Sequence, residues 1–316
     1  MSAVASPGEP YSRRVTERQA RLGTRVCLGL DPRPAAHPLT DPARLGASSP
    51  RDPRVVTAVG RYLAAVLEAT ADLIAACKPQ AAFFEALGPA GSGLLAEVVA
   101  LARDLGVPVV LDAKRGDIGT TAEAYAEAYL GDGPLAADAL TVSPYLGLDT
   151  LEPFLAAAVR GGRGLYVLVR TSNPGSRDLQ GLALAGGGTV ASRLAARLAD
   201  MAAGMDADED GYTALGAVAA APEDLAELRA ALPRSPLLVP GYGAQGARGA
   251  DVVDAFDARG HGALVSASRS LTNGSGFETA VSLDEVAAMA RSSAAAMRGD
   301  IEAALAARAA GGRGGG

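Results

Sequence analysis

Eight short, nearly continuous apolar runs alternate along this chain with longer helical stretches. The runs are Val26–Asp31, Leu73–Lys78, Val107–Asp112, Ala139–Ser143, Gly164–Arg170, Thr213–Val218, Pro236–Pro240 and Gly262–Ser266. A strand covered on both faces reads as just such a run, because neither face can carry polar side chains. Helical spacing is predicted over Val55–Thr70, Leu94–Leu105, Ala122–Leu130, Val190–Met201, Pro222–Leu232 and Ala247–Arg259. A last helix over Leu283–Arg308 sets Val286, Met289, Met297, Ile301 and Leu305 on one stripe. Strands alternating with helices imply a parallel sheet with right-handed crossovers. Eight of them favour a closed, single-domain (β/α)8 TIM barrel over an open doubly wound sheet. No G-x-G-x-x-G follows the first strand, which speaks against a dinucleotide site.

The expected organisation is an N-terminal segment over residues 1–20, the barrel over 21–308 and a disordered Gly-rich tail over 309–316. Two loops stand out. Pro32–Pro53 reads as an extended excursion after the first strand, and Thr171–Gly188 reads as a lid or a disordered loop. With no Trp and few aromatics, the core has to be built from Ala, Val and Leu. The net charge of −6 disfavours nucleic-acid binding, which needs a basic face, but leaves room for one small anion held by a local set of donors. No run approaches the length of a membrane span, and the first residues have no apolar core, so a cytoplasmic protein is expected. Cys27 and Cys77 are expected to be buried reduced thiols, and neither they nor the two histidines form a metal-site pattern.

Of 29 basic residues only two are lysines, Lys78 and Lys114. Arginine serves solubility equally well but holds its proton too tightly for ordinary proton transfer, so these lysines are candidates for chemistry. In a barrel, catalytic groups lie at the C-terminal ends of the strands. Both lysines fall there, in the company of Asp31, Asp112, Ser172, Gln245 and Arg269. Period-two alternation places Asp112 and Lys114 on one face, with Asp117 at the start of the next helix. Two acids and two bases in a small volume keep one another ionised. After the seventh and eighth runs, Gly241, Gly243, Gly246 and Gly249 allow close backbone approach to a ligand. Helix N-termini and the Arg269 fork then suit a phosphate.

The segment Leu111-Asp-Ala-Lys-Arg-Gly-Asp-Ile-Gly-Thr-Thr-Ala122 resembles the D-x-K-x-x-D-I-x-x-T signature of the orotidine 5'-phosphate decarboxylase family. CLGLDP around Asp31, KPQAAFFEALG from Lys78, RTSNPG around Ser172, PGYGAQG around Gln245 and SRSL around Arg269 follow in the right order. The second and third of these are similar to the longer bacterial subgroup. The resemblance spans residues 26–271 approximately and implies a cofactor-free carboxy-lyase that turns orotidine 5'-phosphate into UMP. It implies that Asp31 and Lys78 hold ribose hydroxyls and that Asp112 faces the substrate carboxylate. Lys114 would protonate the ring carbon. Asp117 and Thr121 would reach the neighbouring subunit's site in a homodimer. Ser172 would contact the pyrimidine and bridge to Gln245, and Gln245 and Arg269 would grip the phosphate. The competing reading is a magnesium-dependent sugar-phosphate lyase or aldolase built on the same barrel and the same D-x-K-x-x-D cluster. Further rivals are a Schiff-base aldolase using either lysine, and a nucleotide-binding barrel without activity.

Overall fold

The computed structural model describes residues 9–243, 246–274 and 276–311. All eight expected strands form: β1 Val26–Leu30, β2 Ala76–Pro79, β3 Val110–Arg115, β4 Ala139–Val142, β5 Gly164–Arg170, β6 Leu215–Ala219, β7 Leu237–Pro240 and β8 Ala263–Ala267. The helices are α1 Tyr11–Leu22, α2 Pro53–Thr70, α3 Ala81–Glu85, α4 Pro89–Asp104, α5 Gly119–Leu130, α6 Glu152–Arg160, α7 Val190–Ala203, α8 Leu225–Ala231, α9 Gly249–Val252, α10 Arg269–Thr272 and α11 Leu283–Gly311. The strand order is β2-β1-β8-β7-β6-β5-β4-β3. Parallel bridges from Cys77 to Val109 and from Gln80 to Asp112 pair β2 with the β3 segment as well. That connectivity is the (β/α)8 TIM barrel.

The chain divides into two compact units. One holds Arg18–Ala113, Pro240–Val253 and the chain from Leu264 onward. Here β1 pairs in parallel with β2 (Gly29 opposite Lys78) and with β8 (Val26 opposite Val265), and β1 is buried along its whole length. Helix α2 starts where Asp52 accepts a hydrogen bond from Arg54 N and Pro53 takes the first helical position, where no N–H is needed. Its Val55, Val59, Leu63, Val66 and Leu67 are buried, each side chain contributing roughly 1.5–3 kcal/mol. Helix α11 packs against α2 through Val286, Ala290, Ala294, Met297, Ile301 and Leu305. Two alanines therefore belong to the stripe, while Met289 is only half-buried. The guanidinium of Arg18 donates to Ile74 O (3.0 Å), Gly106 O (2.8 Å) and Ala71 O, satisfying backbone carbonyls ahead of β2 and β3. The Pro32–Pro53 excursion is built rather than loose. Thr40 Oγ1 donates to Pro34 O at 2.7 Å, and the buried His37 ring lies 4.7 Å from the Tyr62 ring.

The other unit holds Lys114–Val239, Asp254–Ala263 and the chain up to Glu17. Its β5 pairs with β4 (Ala139 opposite Gly164) and with β6 (Leu165 opposite Leu215). Tyr11 lies on Gly164, where a Cβ would come within 2.4 Å of its ring, and meets Tyr166 edge-on at 6.1 Å. Arg14 pairs with Asp138 at 2.6 Å. The expected N-terminal segment is therefore helical from Tyr11 and docked by packing and charge. Its first eight residues lie outside the described residues, as do 312–316 of the expected tail, whereas residues 309–311 continue α11.

The helix expected over Ala247–Arg259 is instead α9 followed by a single 3-10 turn over Val253–Ala255. Asp257 ends the helical run. Its carboxylate accepts Arg259 N (2.8 Å) and His261 N (2.9 Å), an Asx-type turn that competes with helix continuation. The Thr171–Gly188 loop is ordered in part and carries a 3-10 turn over Pro174–Asp178.

Candidate active site

Three neighbouring strands bring charged residues together here: Asp31 follows β1, Lys78 lies on β2 and Asp112 on β3. Lys78 Nζ and Asp112 Oδ2 are 2.8 Å apart, and each residue is only 6% exposed. Parallel pairing explains the meeting: Gly29 stands opposite Lys78 on β1, and Gln80 bridges to Asp112 on β3. Burial alone pushes the Lys78 ammonium down, but Asp112 and then Asp31 outweigh it and hold the group above its ordinary value. The Asp31 carboxylate has one enclosed oxygen, Oδ1, that no protein group in the described residues hydrogen-bonds. A buried ammonium with an acceptor oxygen to spare nearby is suited to polar ligand hydroxyls, which both donate and accept. Burial pushes the adjacent Cys27 thiol up to about 12, so it stays protonated and inert.

Lys114 is the one non-glycine residue among those described with a left-handed backbone, at φ +47°. Its N–H donates to Thr141 Oγ1 at 2.9 Å, which helps hold the turn. An L-residue in that region costs roughly 1–2 kcal/mol, and such strain is concentrated at functional positions. Period-two alternation therefore stops short of Lys114, and this turn rather than a regular pleat sets the direction of its side chain. In the single chain that side chain is exposed rather than enclosed.

The glycine-rich segment after β7 is tied down at both ends. Asp300 Oδ2, on α11, accepts Tyr242 O–H at 2.5 Å and Gly249 N–H at 2.6 Å, and Tyr242 forms a bridge with Ala247. Asp251 takes Arg248 N–H at 2.7 Å. At the start of α9, therefore, carboxylates already take the Arg248 and Gly249 N–H groups, which are not free for an anion. The α10 side is different: Arg269 stands exposed at the first position of that helix.

The model of the orotidine 5'-phosphate decarboxylase / HUMPS family matches residues 24–282. The chain belongs to this family. It is 45% identical over 297 residues to a Deinococcus radiodurans protein named orotidine 5'-phosphate decarboxylase, covering 93% of this chain and 98% of that one. A Rhodopirellula baltica protein of the same name is 47% identical over 256 residues, covering 79% and 83% of the two chains. The solved structure of Leishmania donovani OMP decarboxylase superposes with a TM-score of 0.72 at 32% identity, covering 94% of this chain and 98% of that one.

Within this family member the remaining expected site residues are placed as follows. Asp117 is half-buried and its Oδ1 accepts Ile118 N–H at 2.8 Å. Thr121, on the first turn of α5, and Ser172, in the loop after β5, are exposed. Gln245 lies outside the described residues. Two contributors escaped the sequence reading. Thr141, which holds the Lys114 turn, is a lone polar residue inside a buried apolar strand, and that was a usable signal. Asp300 lies 58 residues from Tyr242 on a long helix, and no local pattern marks it.

Proposed function

We infer that this chain decarboxylates orotidine 5'-phosphate to UMP as a carboxy-lyase of pyrimidine biosynthesis. The observation that carries the reading is the buried Lys78–Asp112 pair leading, two residues along β3, into the strained Lys114. The named relatives, matched over nearly their whole length, support the same reaction. The magnesium-dependent lyase reading gains no comparable support.

Loss of carbon dioxide leaves an electron pair in an in-plane carbon orbital that the pyrimidine ring delocalises poorly. Fixed charge has to stabilise it. In our reading Lys114 supplies that charge and then the proton. Asp112 faces the departing carboxylate and repels it in the ground state. Lys78 keeps Asp112 ionised, and together with Asp31 it takes the ribose hydroxyls. Arg269 and Gln245 hold the phosphate, whose binding energy, far from the reacting bond, is available to the transition state. Ser172 contacts the pyrimidine. No step calls on a cofactor or metal.

The reading includes a cytoplasmic homodimer in which Asp117 and Thr121 complete the neighbouring site. Ile118, Tyr145 and Leu146 support it: they are 63%, 75% and 52% exposed, too large and apolar for a surface that stays wet. Ser143 N–H bonds Arg115 O at 2.7 Å, so the turn leading to Ile118 adjoins the corner bearing Tyr145. No helix among the described residues is long and apolar enough to cross a membrane. The decisive assay follows loss of orotidine 5'-phosphate absorbance with purified protein in EDTA. Turnover under those conditions supports the reading, and an inactive or metal-requiring protein overturns it.

A further inference from the structure

The loop that follows β5 is anchored on either side of Ser172. The register of β5 with β6 shifts between Leu168 and Arg170, a bulge of the kind that re-aims a side chain at a strand end. Arg170 is 8% exposed and lies under the loop. Its Nε donates to Asp224 Oδ2 at 2.6 Å, and its Nη1 donates to the buried Ser176 Oγ at 2.7 Å. On the other side, Gln180 Oε1 accepts Thr171 N–H at 2.8 Å, and Gln180 Nε2 donates to Thr171 Oγ1 at 2.8 Å. The two anchors are joined, because Gln180 N–H bonds Ser176 O at 2.8 Å. Ser172 therefore sits between a residue gripped by Gln180 and a turn gripped by Arg170, while remaining exposed itself.

We propose that Arg170 and Gln180 are positioning residues, a clamp that fixes the segment Thr171–Ser176 so that Ser172 meets the pyrimidine in one geometry. The proposal rests on the decarboxylase reading above. Neither side chain needs to touch substrate. A charge-assisted bond from a buried guanidinium is costly to leave unmade, which suits it to fixing the loop that carries the exposed serine. Without the clamp, substrate binding has to order the loop, so the defect belongs in KM.

The test is steady-state kinetics on orotidine 5'-phosphate for Ser176→Ala, Asp224→Asn and Gln180→Ala, each alone and combined with Ser172→Ala. Each single change is expected to raise KM by about tenfold, the effect of losing one such bond, with kcat little changed. In the Ser172→Ala background the same changes are expected to matter by less than about twofold, because the contact they serve is already gone. Arg170→Lys, which keeps the charge without the fork, is expected to recover only part of the effect of removing it. Full additivity with Ser172→Ala, or wild-type KM in all three singles, overturns the clamp while leaving the decarboxylase reading intact. An inactive wild type overturns both.

Discussion

Lys78 and Asp112 form a buried ion pair, Nζ to Oδ2 2.8 Å, between the ends of neighbouring parallel strands. Removing one partner strands the other charge away from water, a change that typically costs about 3–5 kcal/mol. Asp112→Ala and Lys78→Met are therefore each expected to lower the unfolding free energy by about 3 kcal/mol, measured by urea denaturation. The double variant Lys78→Met with Asp112→Leu should regain part of that stability, since neither member of the pair is left as an orphan, and should still lack activity. A double variant as unstable as the sum of the singles would show that the two residues do not act as a pair.

The same pair sets a pH dependence. The folded Lys78 ammonium is held above its ordinary value of 10.5, so its contribution is fully present below about pH 10.5. It is lost as pH rises through the higher folded value, because the unfolded chain gives up its proton first. Tyr62 and Tyr212, whose phenols burial pushes up, ionise in the same alkaline range and also weaken the fold there. The Lys78 share is thus the difference in slope between wild type and Lys78→Met above about pH 10.5. Equal slopes would rule out the raised ammonium.

How far the sequence foretold this molecule depends on whether a feature is local. Each strand is covered on both faces, so it had to be an unbroken apolar run, and all eight could be located. Their limits shifted where chemistry intervened. The third strand runs over Val110–Arg115 rather than Val107–Asp112, because pairing continues through charged residues that read as a strand stop. The second begins at Ala76, since Leu73 N–H closes a turn onto Thr70 O. Lys78 and Asp112 were found because strand ends converge in a barrel. The Asp300 anchor and the Arg170–Asp224 bond come from contacts between segments far apart in sequence, and the αL turn at Lys114 from a dihedral that no residue pattern encodes.

The thiols give a simple test of core integrity. Cys27 and Cys77 are both fully enclosed, and Cys27 is pushed up to about 12 by burial. A thiol that neither ionises nor meets solvent does not react. A disulfide exchange reagent at neutral pH is expected to label neither cysteine in the native protein and both in guanidinium chloride. Prompt labelling of the native chain would contradict the enclosed β1–β2 pairing.

Arg269 is exposed at the start of α10, while carboxylates close off the start of α9. On the proposed reading, Arg269 is the charged group that grips the phosphate, alongside Gln245. Arg269→Ala is expected to lower kcat/KM for orotidine 5'-phosphate by about a hundredfold, in keeping with a lost charge-assisted bidentate contact. On orotidine, which has no phosphate, the variant and wild type should differ by less than about twofold. The measurement is the ratio of kcat/KM on the two substrates, and an unchanged ratio in the variant would remove Arg269 from the phosphate site.

Lys114 separates function from stability more sharply than any other residue here. If its ammonium is the proton donor, Lys114→Ala and Lys114→Gly both lose turnover while remaining folded. The two should nevertheless differ in stability. At φ +47° alanine keeps the steric penalty of a Cβ in the left-handed region, and glycine does not. The glycine variant is therefore expected to be the more stable by about 1 kcal/mol, even though glycine is ordinarily the weaker choice for the entropy of the unfolded chain. Thermal unfolding of the two proteins side by side reads that sign directly. If alanine proves the more stable, the turn is not left-handed in solution, and Lys114 would reach its position from an ordinary strand backbone. If either variant keeps wild-type turnover, the proton must come from elsewhere, and the strain at this position would need another reason to exist.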